Sequence, residues 1–137
     1  MPILSNFPGG AGSGSGGLTL AAVSGITTQV SSEKVYVKWT DPDDLVVAGS
    51  TIAAWGGTLL VRKAGSAPTS RRDGTIVLDS KTRDAYKNTY FCDSGLSNGT
   101  KYYYKFFPYT TANAYTDSTD DEFNVIPTVQ VAGITSW

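Results

Sequence analysis

Side chains able to do chemistry are few in this sequence of 137 residues: twelve Asp and Glu, a single Cys, and no His. Without imidazole, a Ser-His-Asp triad, His-based proton transfer and His ligation of zinc are excluded. The one thiol, Cys92, cannot form an internal disulfide and is read as a buried, inert thiol on the same strand face as Tyr90. Carboxylates cluster twice, as Asp41, Asp43 and Asp44 in "DPDD" and as Asp117, Asp120 and Asp121 in "DSTDD". Oxygen-rich loops of this kind can hold calcium. These two lack the Gly and Glu spacing of an EF-hand, and solvated turns are their expected state. Asn98-Gly99-Thr100 fits a glycosylation sequon and is read as a tight turn. No nucleophile has a base beside it, so the sequence predicts no enzyme, no resident metal and no cofactor.

Net charge is -1, which removes the long-range attraction to phosphate on which nucleic-acid binders depend. No apolar run approaches the ~20 residues of a membrane span, so neither nucleic acid nor membrane is an expected partner. Residues 9 to 17, "GGAGSGSGG", contain alternating glycines, but no strand precedes them and no Lys-Ser/Thr follows. Phosphate binding is therefore not predicted there. The stretch reads as a tether that links an apolar head, "MPILSNFP", to the rest of the chain. Ordering glycine is entropically expensive, so a surface would have to hold such an arm. Residues 1 to 17 also lack Lys and Arg, and with them the basic region of a secretory signal; the expectation is synthesis and retention in the cytosol.

The elements that must position these side chains are short strands separated by turn signals, with no helical period. In "KVYVKWT", Val35, Val37 and Trp39 share one face, and Tyr36, Lys38 and Thr40 the other. Further strands are expected at 58–63, within "DGTIVLDS", within "KNTYFCDSGL", at 101–109 and inside 115–126. The tail "IPTVQVAGITSW" resumes alternation, and would cover its own sandwich or add to a neighbour's sheet. The spacing predicts an all-β, immunoglobulin-like sandwich of about seven strands. Three segments follow: an extended Gly-rich arm at 1–17, the sandwich at 18–127 and a strand-like tail at 128–137.

At "GLSNGTKY" the sequence resembles the Leu-x-x-Gly-Thr-x-Tyr signature of fibronectin type III domains, with Leu96, Gly99, Thr100 and Tyr102 in the matching places. The resemblance implies that Tyr102 is a tyrosine-corner residue and Trp39 the core tryptophan of the second strand. Together with "WGGTLLVRKAGSAP" and "RDGTIVL", the pattern looks like the variety found in bacteriophage and prophage structural proteins.

Six aromatic rings lie between Tyr102 and Tyr109. Strand parity assigns Tyr102, Tyr104 and Phe106 to the core with Trp39, Val37, Leu59 and Val61, and Leu96 of the signature is expected to join them. Parity leaves Tyr103, Phe107 and Tyr109 on an outer face, where cross-strand support is their expected main role and a contact surface for a glycan or a protein is the alternative. The resulting expectation is a virion accessory protein, as a capsid decoration, head fibre or tail-associated protein, present in many copies and localised to the virion. Ile3, Leu4 and Phe7 would anchor it to a capsid or tail protein, and the sandwich would adhere weakly to host surfaces or glycans. The alternative is a carbohydrate-binding or protein-interaction accessory module of a bacterial surface or secreted protein.

Overall fold

The computed structural model describes residues 18–129. Among these residues nine strands follow in chain order: β1 (Ser24–Ser31), β2 (Lys34–Thr40), β3 (Leu45–Val47), β4 (Ser50–Ala53), β5 (Trp55–Ala64), β6 (Thr75–Ser80), β7 (Phe91–Ser94), β8 (Tyr102–Thr110) and β9 (Glu122–Val125). A 3-10 turn, Thr119–Asp121, precedes β9. One sheet has the order β1-β2-β7, the other β9-β8-β5-β6, and β3 and β4 form a separate hairpin. The paired strands within each sheet are antiparallel.

Alternation in β2 works as the sequence predicts, with Val35, Val37 and Trp39 buried. Trp39 stacks on Tyr86 at 5.2 Å and tilts against Phe106 at 4.7 Å. Tyr104 stacks on Phe123 of β9 at 4.7 Å, tying the edge strand to its neighbour. Such aromatic pairs add about 0.5–1.5 kcal/mol each beyond the area they bury. Leu60 and Leu96 complete this inter-sheet core.

The inward residue of β5 is thus Leu60. Leu59 and Val61, expected in this core, instead join Phe107 and Tyr109 in a second apolar cluster. The cause is pairing register: Leu60 sits opposite Phe106, whereas Leu59 faces Phe107 and Val61 faces Lys105. Because the side-chain period of a strand is two, this register decides which face each residue occupies.

Strand β7 corrects a second expectation. Cys92 is exposed, and Asp93 is buried beside it. Asp93 can turn inward because its charge is met: Arg62 donates to both carboxylate oxygens at 2.9 Å, and the Tyr104 hydroxyl donates to Oδ2 at 2.7 Å. A buried carboxylate with this set of partners is stable where an unpaired one would not be. Burial and the Asp93 bond push the Tyr104 hydroxyl well above the usual phenol range.

The turn before β8 closes the fold. The amide of Ser97 donates to the Tyr102 hydroxyl at 2.9 Å, and that of Gly99 to the Pro127 carbonyl at 3.0 Å. Gly99 has a φ of +84°, which a side chain would strain. Of the expected tail, only Thr128 and Val129 are described, neither in a strand.

Candidate interaction surface

Two regions outside the core hold apolar side chains, and their fates differ. The first is the outer face of the four-stranded sheet. Phe107 is only 2% exposed and Tyr109 only 7%, so the expected aromatic contact face at these two positions is corrected. Tyr103 is half-buried, with Lys101 Nζ lying 5.9 Å from its ring centre.

Loops close this face. The β8–β9 connection folds back so that Tyr115 bridges to Tyr109, their rings 5.0 Å apart. The amide of Thr116 donates to Pro108. Lys105 Nζ reaches Asp117 at 2.5 Å and Glu122 at 3.3 Å. Burial alone would pull the Lys105 ammonium pKa down, but the two carboxylates outweigh it and the net direction is upward. From the β5–β6 loop, Arg71 lies over the Tyr115 ring at 4.2 Å, so the two loops meet. That loop is held in turn by Asp73, which accepts from the Thr69 amide and hydroxyl and pairs with Lys63 at 2.9 Å. These bonds hold the Asp73 pKa down at about 2. Tyr109 lies across Gly57, where any Cβ would overlap its ring, and its hydroxyl donates to Asp79 at 2.7 Å. Burial first, and then that bond, push the Tyr109 hydroxyl well above its ordinary range.

The β8–β9 connection also grips the start of the sandwich. The Val23 amide donates to Asp121 Oδ1 at 2.7 Å, and the Thr116 hydroxyl to the Leu20 carbonyl at 2.8 Å. Asp121 is fully buried with its second oxygen unpartnered. Desolvation raises its pKa to about 7, against the lowering effects of the Val23 bond and Lys105. Of the two acidic runs, Asp117 and Asp121 serve as an ion-pair partner and a backbone clamp. In the other run, Asp41 Oδ1 accepts from Trp39 Nε1 at 2.9 Å and the Thr58 hydroxyl at 2.8 Å, and Oδ2 accepts from the Asp84 amide at 2.7 Å. Among the described residues, no group of three ligating side chains is placed to hold a metal ion.

The second region is the β3–β4 hairpin, which the sequence reading did not resolve. Its turn, Ala48-Gly49, has φ of +51° and +81°, the left-handed pair that two-residue hairpins use. The base is fixed by polar contacts: Asp44 Oδ1 accepts from the Trp55 amide at 2.9 Å and from Arg83 at 2.6 Å, and Arg83 also donates to the Pro42 carbonyl at 2.6 Å. Arg83 lies over the Trp55 ring at 5.1 Å. Beyond this base, Val46, Val47 and Ile52 are about half exposed, as is Leu18. Leu18 and Ile52 share a groove of about 480 Å³ with Thr51, Ala53, Ala54 and residues 110–112 and 114. A fixed hairpin with an apolar, solvent-facing tip is a surface suited to burial against a partner.

Solved structures give the architecture its name. Similarity extends over 91% of this chain and 98% of the fourth fibronectin type III domain of a human protein, with a TM-score of 0.56 and 16% identity. The fold is that of a fibronectin type III domain. The third such domain of the human KIAA0343 protein is similar over 93% of this chain and 98% of its own, with a TM-score of 0.54 and 13% identity. No family model matches the sequence, and no curated protein matches it. Trp39, Leu96, Tyr104 and Phe106 are buried in the inter-sheet core, and the Tyr102 hydroxyl accepts from the Ser97 amide. The β3–β4 hairpin occupies the connection between the second and third strands of the sandwich. The expected anchor residues Ile3, Leu4 and Phe7 lie outside the described residues.

Proposed function

We propose that this chain is a non-catalytic structural module of a multi-copy assembly, and specifically a bacteriophage virion accessory protein. The observation that carries the interaction reading is the β3–β4 hairpin. Its base is fixed by Asp44 and Arg83, while Val46, Val47 and Ile52 are left open to a partner. Large apolar side chains on a rigid support cost little conformational entropy to bury on binding. The resemblance of "GLSNGTKY" and its neighbouring motifs to phage structural domains supports the virion as the assembly. The apolar head at 1–8, joined by a Gly-rich stretch, supports anchoring through Ile3, Leu4 and Phe7 to a capsid or tail protein. Repetition over many copies would let weak contacts made by the hairpin end add up.

The test is co-sedimentation. Particles pelleted from lysates of cells carrying the gene should contain the chain in many copies by quantitative mass spectrometry. The variant Ile3→Asp/Leu4→Asp/Phe7→Ser should stay in the supernatant. Wild-type chain found only in the soluble fraction would overturn the reading. Carbohydrate binding loses its main support, because Phe107 and Tyr109 are covered and cannot form a platform with Tyr103.

A further inference from the structure

The segment that enters the sandwich, residues 18–23, belongs to no strand. Among the described residues, two hydrogen bonds tie it down, and both join it to the β8–β9 connection. The Val23 amide donates to Asp121 Oδ1 at 2.7 Å, and the Thr116 hydroxyl donates to the Leu20 carbonyl at 2.8 Å. Leu20 and Val23 are buried, whereas Leu18, Thr19 and Ala21 are exposed. A segment held by so few contacts opens at a lower free energy than the sheets it lies against.

Asp121 is the vulnerable half of this hold. Its carboxyl group is fully buried at the end of the 3-10 turn, and among the described residues Oδ2 has no hydrogen-bond partner. A neutral acid fits the site, with Oδ1 accepting from Val23 and one hydroxyl lacking an acceptor. A carboxylate there would be a full charge in a dry site with a single donor, which costs far more. The charged groups around it do not remove that cost. Lys105 of β8 attracts it through space, but the Lys105 ammonium is in contact with Asp117 and with Glu122 of β9. Asp117 and Asp120, on the same connection, repel it. The side chains of residues 18–23 carry no charge. Ionised Asp121 therefore gains hydration only by moving outward with its turn, which breaks the Val23 bond.

We propose that Asp121 is a pH-sensitive latch: in its acid form it clamps residues 20–23 to the sandwich, and on ionisation it lets that segment swing out while both sheets stay paired. Release exposes Leu20 and Val23. Residues 18–23 then add up to about 20 Å to the reach of the chain ahead of the sandwich. Latched Asp121 has a pKa of about 7, against an ordinary 3.8 once hydrated. Opening thus increases from about pH 4 to about pH 7 and then levels off, so acid tightens the latch. The latch acts whatever the assembly partner is, and a failure of co-sedimentation would leave it intact.

The test is residue-resolved amide hydrogen exchange of the full chain by NMR from about pH 4 to about pH 8, with each rate corrected for its intrinsic pH dependence. Protection of the Val23 amide should fall more than about tenfold between pH 5 and pH 7 and change little above that. At every pH Val23 should exchange faster than the slowest amides of β5 and β8, which marks local opening rather than unfolding. Asp121→Asn keeps an acceptor for Val23 and cannot ionise, so its Val23 protection should not vary with pH. Should that variant not fold, the carboxyl carbon of Asp121 in the wild type reports the same event. The midpoint of its chemical-shift titration should coincide with the pH at which Val23 protection levels off. Val23 protection independent of pH in the wild type would overturn the proposal. So would Val23 exchange as slow as that of the core strands, since the segment would then open only with the whole fold.

Discussion

The two faces of β8 carry nearly the same chemistry and are buried by different means. Inward, Tyr104 and Phe106 meet the second sheet through Trp39, Val35 and Val37. Outward, Phe107 and Tyr109 pack beside Leu59 and Val61 of their own sheet and are covered by loops, fastened by Lys105 to Asp117, by Asp73 to Thr69 and Lys63, and by Arg71 over Tyr115. One face is covered by regular secondary structure and the other by polar side chains acting as clasps. Aromatic residues alone therefore do not distinguish a core from a contact surface; what the neighbouring loops do decides it. Among the described residues, three of the exposed large apolar side chains, Val46, Val47 and Ile52, lie together elsewhere, on the β3–β4 hairpin.

If that contrast is right, truncations on the two faces should differ in cost. Phe106→Ala removes a ring from between the sheets and is expected to cost about 4–5 kcal/mol in chemical denaturation, whereas Phe107→Ala, in the smaller loop-covered cluster, should cost about 3 kcal/mol. Equal losses would mean that the loops pack as a full third layer.

The clasps should also respond to pH in opposite senses. Asp121 has a folded pKa of about 7 against an ordinary 3.8. The folded state thus holds its proton more tightly, and this contribution is present below about pH 4 and lost as pH rises towards 7. Asp121→Asn should flatten that fall, an effect on the order of 2 kcal/mol between pH 4 and 7 in denaturation midpoints. A slope unchanged by the substitution would show that Asp121 is not the group responsible. Replacing Lys105 with Met removes a cation that holds the Asp121 pKa down, so the carboxyl resonance of Asp121 should titrate at higher pH in the variant. The smallest effect belongs to Asp73, whose folded pKa is about 2. Its stabilisation is present above pH 4 and lost as pH falls towards 2, and Asp73→Asn should remove that acid-side loss and loosen the 65–74 loop to proteolysis.

How much of this was legible in the sequence follows from where alternation was clean. In "KVYVKWT" one face is apolar and the other mixed, so Trp39 and its neighbours could be placed. In "GTLLVRK" three consecutive apolar residues, Leu59 to Val61, are all buried, and periodicity could not say which belonged to the inner face. Partner register settled it. The burial of Phe107 and Tyr109 depends on loops, "AGSAPTSRRDG" and "TANAYTDSTDD", whose composition reads as solvated turns. The contact that joins the two loops, Arg71 over Tyr115, is long-range and leaves no local signal. The reversal at β7 has the same origin, since Asp93 is buried only because Arg62 and Tyr104, distant in sequence, meet it. The hairpin was more accessible to reading: "LVV" and "STIA" flank Ala48-Gly49, although Ala is a weaker left-handed turn signal than Asn or Asp. The groove could not be foreseen, because it joins residues 18, 51–54, 110–112 and 114 through tertiary structure.

Hydroxyl-radical footprinting of the intact protein tests the central claim most directly, by comparing side-chain modification with that in the unfolded chain. The account predicts strong protection of Phe107 and Tyr109 and little protection of Val46 and Val47. Modification of Phe107 and Tyr109 at rates near those of the unfolded chain would show that the loops do not close the outer face, and would return the contact surface to the aromatic strand.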